Sequence, residues 1–409
     1  MAGLISMKRA DASIRLRLKR LCKIRGARKH QHRLIAKAKR RGEKYQKASL
    51  YYGGGQTRSG KVTGPGLKMP ANFCLDSNYA EVSAFLEKMR ESLHQGMEKW
   101  IAKGRPKSNN AIITKWFDFS TIQRITPSAA LVLAAEFDRL RLIGQRGLIA
   151  IDVHKWNPDV LSTLRRLGLF EIWEMDPPSY DYLENDSDNL FIIPMRSGHE
   201  VLGQAASQLN GEIANVVIEV VKSSLIGKTY SDAELDEIWD DKAGNIYIIL
   251  IEAMDNVINH AYTDDKINGL RTVKRWWMTA AIDRLRSKLT VAIYDQGISI
   301  PVSLPYSENY PKIKGLIRDF LGVEHDIENP RHDGVAIRQA TEASRSSTGE
   351  AHRGKGLAVM VSFIDKCRDG RLRILSRHGE FIHEKGLGGY VNAHQTSMGG
   401  TLLEWEVQL

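Results

Sequence analysis

The stretch Asn245–Asp264, NIYIILIEAMDNVINHAYTD, most narrows what this chain can fold into. It is an apolar run interrupted at regular intervals by Glu252, Asn256 and His260. A spacing of four residues stacks these three side chains on one face of a helix. An unpaired polar group on a buried helix costs free energy, so a ladder of three points to something they bind. A carboxylate can orient or activate a water, an amide oxygen can complete the shell of a hard cation, and an imidazole can donate a hydrogen bond. The plain alternative is a helix with a polar edge.

Three further motifs follow in order. The β-branched strand Leu289–Tyr294 runs into Asp295-Gln296-Gly297-Ile298-Ser299. The segment Thr348–Leu357, TGEAHRGKGL, leads into an apolar helical stretch. Gly399-Gly400-Thr401 then precedes a closing strand, LLEWEVQL. Taken jointly, the E-x-x-x-N-x-x-x-H helix, the D-x-G strand end, the G-K-G-L loop and the late G-T resemble the GHKL superfamily of ATP-binding domains, nearest its anti-sigma-factor kinase and histidine-kinase-like branch.

The resemblance implies an ATP and magnesium site in an α/β sandwich spanning residues 196–409. By it, Glu252 would be the general base and Asn256 the magnesium ligand through its side-chain oxygen, with His260 beside them. Asp295 would accept from the adenine amine, and Gly297 would keep the backbone clear of the base. Arg353, Gly354, Lys355, Gly356 and Leu357 would close on the phosphates at a helix start, where backbone N–H groups and the macrodipole favour an anion. Thr401 would lie near the adenine edge. Residues 306–349, with two expected helices, would form the ATP lid. One departure stands out: the second glycine of the family's D-x-G-x-G is here Ser299, which leaves the path of that loop open.

Charge is concentrated at the other end of the chain. Residues 1–50 hold 17 Lys plus Arg against only Asp11 and Glu43, a local +15, and the remaining chain stands at −4. Ile14, Leu18 and Leu21 follow helical spacing among arginines and lysines. A basic helical arm over 1–52 is expected, with DNA or RNA as its partner; a solvated tail or a helix docking on its own body are the alternatives. A Gly-rich linker is expected over 53–70 and a helical connector over 71–110. Gly55, Gly60 and Lys61 nearly spell a Walker A loop, but Val62 stands where a magnesium-binding hydroxyl is required. Cys22, Cys74 and Cys367 form neither a disulfide framework nor a zinc spacing. No apolar run has membrane-spanning length and the N-terminus lacks a signal-peptide core, so a cytoplasmic location is expected.

Between arm and ATPase motifs, strand AIITKWFDF, helix Pro127–Leu142, strand GLIAIDVH and a helix opened by Asn157-Pro158 describe a small α/β layer over 111–195. This line resembles STAS domains, the anti-sigma-factor antagonist fold. Asp118-Phe119-Ser120 matches their opening, and Ser128 aligns with their phosphorylatable serine. Thr126 and Ala129 replace the residues that usually flank it, so phosphorylation of Ser128 is not expected; capping of a helix start is the other reading. An acidic, Pro-rich connector then leads to strand LFIIPM and a long helix over about 199–224. His199-Glu200 is similar to a histidine-kinase phospho-acceptor but lacks its proline.

The expected fold class is therefore α/β (α+β): a basic arm, a STAS-like module and a GHKL-type sandwich. Three functions remain open. One is ATP hydrolysis coupled to conformational change or homodimerisation in a nucleic-acid-associated regulatory or defence assembly with a protein partner. Another is an anti-sigma-type serine kinase with its antagonist fused in the same chain. The third is a non-catalytic ATP-sensing scaffold that binds nucleic acid.

Overall fold

The computed structural model describes residues 45–51, 57–63, 66–102, 112–113, 116–144, 148–176, 190–199, several residues within 211–222, and then 232–262, 266–267, 270–345 and 356–408. The basic residues before 45 lie outside these, as do Arg353, Gly354 and Lys355.

Seven strands carry the C-terminal half: β5 (Leu190–His199), β6 (Arg275–Asp283), β7 (Lys288–Asp295), β8 (Gly370–Ser376), β9 (Gly379–Glu384), β10 (Gly388–Ala393) and β11 (Thr401–Gln408). They form one sheet in the order β10-β9-β8-β11-β7-β6-β5, antiparallel throughout. An antiparallel sheet often leaves one face in water, and its strands then alternate apolar with polar residues. Here the central strands β6 and β7 read as near-continuous apolar runs because both faces are covered. In β7, Leu289, Val291 and Ile293 enter one core while Ala292 and Tyr294 enter another.

The first core is closed by three helices, α4 (Asp232–His260), α6 (Asp333–Arg345) and α7 (Gly356–Lys366). On α4, Ile246, Ile249, Leu250, Ala253, Met254 and Val257 recur at helical spacing and are buried against the sheet. A further helix, α5 (Tyr310–Leu321), packs on α6 with its buried Ile313 and Ile317.

The opposite face is covered by α1 (Tyr79–Ala102), α2 (Pro127–Gly144) and α3 (Pro158–Arg166). Asn157 caps α3 by accepting from the backbone N–H of Asp159 and Val160, and Pro158 occupies a first-turn position where no donor is needed. Helix α2 is apolar nearly all round, with Leu131–Ala135 wholly buried, because it is held between the sheet and the outer helices.

Several boundaries differ from the sequence reading. Tyr45–Tyr51 (β1) and Thr57–Thr63 (β2) form an antiparallel ladder, although the first was assigned to the arm and the second to a linker. With Ile112–Ile113 (β3) and Ala150–Ile151 (β4) they make a sheet of order β3-β2-β1-β4. Within the expected strand AIITKWFDF the described pieces are Ile112–Ile113, paired with β2, and Phe117–Asp118, paired with Leu67–Lys68; within GLIAIDVH, Ala150–Ile151 pairs with β1. The boundary at 195 falls inside β5, which belongs to the seven-stranded sheet. His199 ends that strand, and the described helical residues after it begin at Gly211. Helix α4 starts at Asp232, well before Asn245. Among the described residues no helix is long and apolar enough to cross a membrane.

Where the N-terminal helices meet the sheet, a buried ionic cluster joins them. Glu136 on α2 accepts from Arg90 of α1 and from Arg139, both at 2.7 Å. Arg90 also donates to the Tyr294 hydroxyl at 3.1 Å, and that hydroxyl donates to the Gly399 carbonyl at 3.2 Å. Trp277 on β6 donates to Asp138 at 2.9 Å. Burial alone would push the Glu136 carboxyl up, but the two guanidiniums outweigh it and hold it below its usual range. Removing one partner of a buried pair strands the other charge, at about 3–5 kcal/mol. Glu136→Ala should therefore destabilise the protein by about that much in urea denaturation. A loss under about 1 kcal/mol would mean that the cluster is hydrated and contributes little.

Candidate functional site

Two residues of the α4 polar ladder, Asn256 and His260, line a cleft, whereas Glu252 is not among its lining residues. Glu252 and Asn256 are partly buried and His260 is exposed, flanking the apolar stripe that binds α4 to the sheet. Helix α7 begins directly over them. A Cβ placed on Gly356 would lie 2.7 Å from Glu252 Oε2 and 2.9 Å from Asn256 Nδ2, closer than side chains tolerate. The described part of α7 thus begins directly beside a carboxylate and an amide of α4. Asn256 Nδ2 is buried with no hydrogen-bond partner among the described residues.

The far end of α4 is stitched to the loop after β7. Ile298 N–H donates to the Ala261 carbonyl at 2.8 Å, and Gln296 N–H donates to the Tyr262 hydroxyl at 2.9 Å. The approach is so close that a Cβ on Gly297 would meet the Ala261 carbonyl oxygen at 2.3 Å. Gly297 thus clears the backbone for a helix end, a reason for glycine that the sequence did not disclose.

Asp295 is set by this loop. Its Oδ1 accepts from Gly297 N–H at 2.8 Å, and the Thr401 backbone N–H also bonds its carboxyl. Burial is the dominant influence and raises its pKa to about 7, which these two bonds only partly offset. Thr401 is its neighbour in the β7–β11 ladder. The Thr401 hydroxyl lies 2.8 Å from Ser376 Oγ, which also accepts from Ile300 N–H at 2.8 Å. His260, though exposed as a residue, lines the cleft, and partial desolvation there lowers its pKa and favours the neutral imidazole.

Asn256, His260, Asp295, Gly356, Leu357 and Thr401 all line one cleft of about 880 Å³, open solvent included. Its other walls were not read from the sequence: Ser299, Ile300, Leu304 and Ile313 come from the segment after Asp295, and Ala340 from α6. The helical periodicity of α5 and α6 was visible, but nothing in it ties Ile313 or Ala340 to the cleft. Arg353, Gly354 and Lys355 lie outside the described residues, as does the segment from 346 to the start of α7.

Among the described residues no group of three or more His, Cys, Asp or Glu side chains gathers as a metal cage.

Ser128, the candidate phosphorylation site, is 2% exposed and bonds the buried Glu404 carboxyl on β11. A phosphate there would meet a carboxylate and a packed sheet rather than solvent.

Comparison with models of known protein families finds no match to this chain, and no curated protein matches it.

The buried Asp295 carboxyl sets a pH dependence. Its pKa is raised from 3.8 to about 7, so folding favours the protonated form. That contribution is fully present below about pH 4 and is lost as pH rises through about 7. Asp295→Asn removes the charge while keeping the acceptor for Gly297. The ligand-free variant should melt about 5 °C above wild type at pH 8, with the gap closing toward pH 4–5. Identical melting curves at both pH values would show the carboxyl to be solvated.

Proposed function

We propose that the cleft binds ATP with magnesium and that the protein hydrolyses ATP to drive a conformational change or dimerisation. The observation that carries this is the meeting of two unlike groups in one cleft. A glycine-started helix lies over the Glu252–Asn256 ladder at one end, and a buried carboxyl, Asp295, lies at the other. The first suits phosphates, which a helix N-terminus attracts. The second suits an exocyclic amine, for which an enclosed acceptor is the complement. Ile300, Leu304, Ile313 and Leu357 supply an apolar middle for a base or ribose.

In this reading Asn256 would hold magnesium through its side-chain oxygen, and the ion would offset charge on the phosphates. Glu252 takes a proton from the attacking water. His260, favoured as the neutral imidazole, contributes a hydrogen bond rather than a charge. Thr401, fixed by Ser376, steadies the edge of the base.

The fused-kinase reading is disfavoured by Ser128, because a hydroxyl enclosed between α2 and β11 is not a phosphoacceptor without local opening. A STAS-like origin of the helices behind the sheet, and ATP sensing without turnover, remain the other readings of the same residues. Nucleic acid stays the partner that the charge of residues 1–50 leads one to expect.

Binding and turnover separate these readings. Glu252→Ala should retain ATP affinity and lose hydrolysis by about 10²–10⁴-fold, while Asn256→Ala should lose the magnesium-dependent part of the affinity. Asp295→Asn should weaken ATP about ten- to a hundredfold by calorimetry. Equal hydrolysis by wild type and Glu252→Ala would assign the carboxylate a structural role. Unchanged ATP binding in Asp295→Asn would remove the base from this end of the cleft.

A further inference from the structure

Ser299 is the one residue of the cleft that every local account makes a liability. Its backbone is at φ 81°, ψ 157°, a region populated almost only by glycine. It stands immediately before the short helix Ile300–Ser303, where serine commonly caps, yet its side chain makes no cap bond. The Ile300 N–H is taken instead by Ser376 Oγ at 2.8 Å. Nor does the hydroxyl serve the core. Ser299 is 6% exposed, and its Oγ has no hydrogen-bond partner among the described residues. A glycine here would cost neither strain nor a stranded hydroxyl.

Its surroundings say what that hydroxyl could meet. Ser299 lines the same cleft as Asp295 and Thr401. A continuous set of bonds ties the three together. Ile300 N–H bonds Ser376 Oγ, Ser376 Oγ bonds the Thr401 hydroxyl, and Thr401 N–H bonds the Asp295 carboxyl. The loop is therefore held in register with the acceptor that faces a base. In its ionised form, which prevails above about pH 7, the Asp295 carboxyl accepts and cannot donate. A base whose edge places an amine beside an unprotonated ring nitrogen needs one acceptor and one donor side by side. Rotation about the single Cα–Cβ bond carries Ser299 Oγ between staggered positions and supplies the donor.

We infer that Ser299 is a specificity-determining residue of the cleft, its hydroxyl donating to the ring nitrogen adjacent to the amine that Asp295 accepts. This rests on the ATP reading above. Asp295 and Ser299 then read the amidine edge of adenine as a pair, and the strained backbone of Ser299 is the condition for placing a side chain there.

Two substitutions separate the hydroxyl from the strain. Ser299→Ala keeps the Cβ and the backbone conformation and removes only the hydroxyl. Ser299→Gly removes both. The probes are ATP and its 1-deaza analogue, in which C–H replaces that ring nitrogen, measured by calorimetry on the full chain with magnesium. Wild type should bind ATP about two- to tenfold more tightly than the analogue, the range of one neutral hydrogen bond. Both variants should bind the two ligands alike, at the wild type's affinity for the analogue, so that the double-mutant cycle shows coupling between hydroxyl and ring nitrogen. Ser299→Gly should also melt higher than wild type while binding more weakly, an opposition that loss of fold would not produce. ATP affinity equal to wild type in both variants, or discrimination retained in Ser299→Ala, overturns the inference and leaves the ATP reading standing. Wild type that binds neither ligand overturns both.

Discussion

Gly356 lies directly against the Glu252 and Asn256 side chains, so that α7 begins on the polar face of α4. The rest of the cleft is arranged around this contact. It sets the described start of α7 against a carboxylate and an amide. Below the contact, the apolar stripe of α4 seals the sheet. Beyond it, the last residues of α4 meet the loop after β7 through Ala261 and Tyr262. One helix therefore sets both ends of the cleft, and the distance between them follows from its length.

The sheet transmits a second constraint from behind. Tyr294 precedes Asp295, and Gly399 lies two residues before Thr401. Arg90 of α1 bonds the Tyr294 hydroxyl, which bonds the Gly399 carbonyl. The two strands that carry the polar end of the cleft are thus gripped on their far face by the N-terminal helices. Such support from rigid elements is what keeps binding groups in place. The cost is a buried ionic cluster, tolerated because Glu136 is matched by two guanidiniums. It also explains why the N-terminal helices share one core with the sheet rather than forming a separate body.

Much of the front of the molecule was legible from sequence. The ladder at 252, 256 and 260 depends only on helical spacing, and the strand ending at Asp295 only on β-branched composition and a following D-x-G. The α3 cap at Asn157-Pro158 was equally local. What escaped depended on partners distant in the chain. Nothing in YQKASLY or TRSGKVT announces a ladder, so β1 and β2 passed for arm and linker. Strands β6, β8, β9 and β10 were not read at all. In β6 both faces are buried, so it lacks the alternation that marks a half-exposed strand. Ser299 was visible as a departure from a glycine position, but its backbone strain and unbonded hydroxyl appear only when the loop is seen in three dimensions.

Hydrogen exchange with and without ATP and magnesium would test the cleft most directly, because it reads every segment at once and needs no substitution. Added nucleotide should slow exchange in 253–261, 295–300, 356–361 and 401–403, four segments far apart in sequence that share only the cleft. Protection confined to other segments, or no protection at saturating nucleotide, would contradict the assignment of this cleft to ATP.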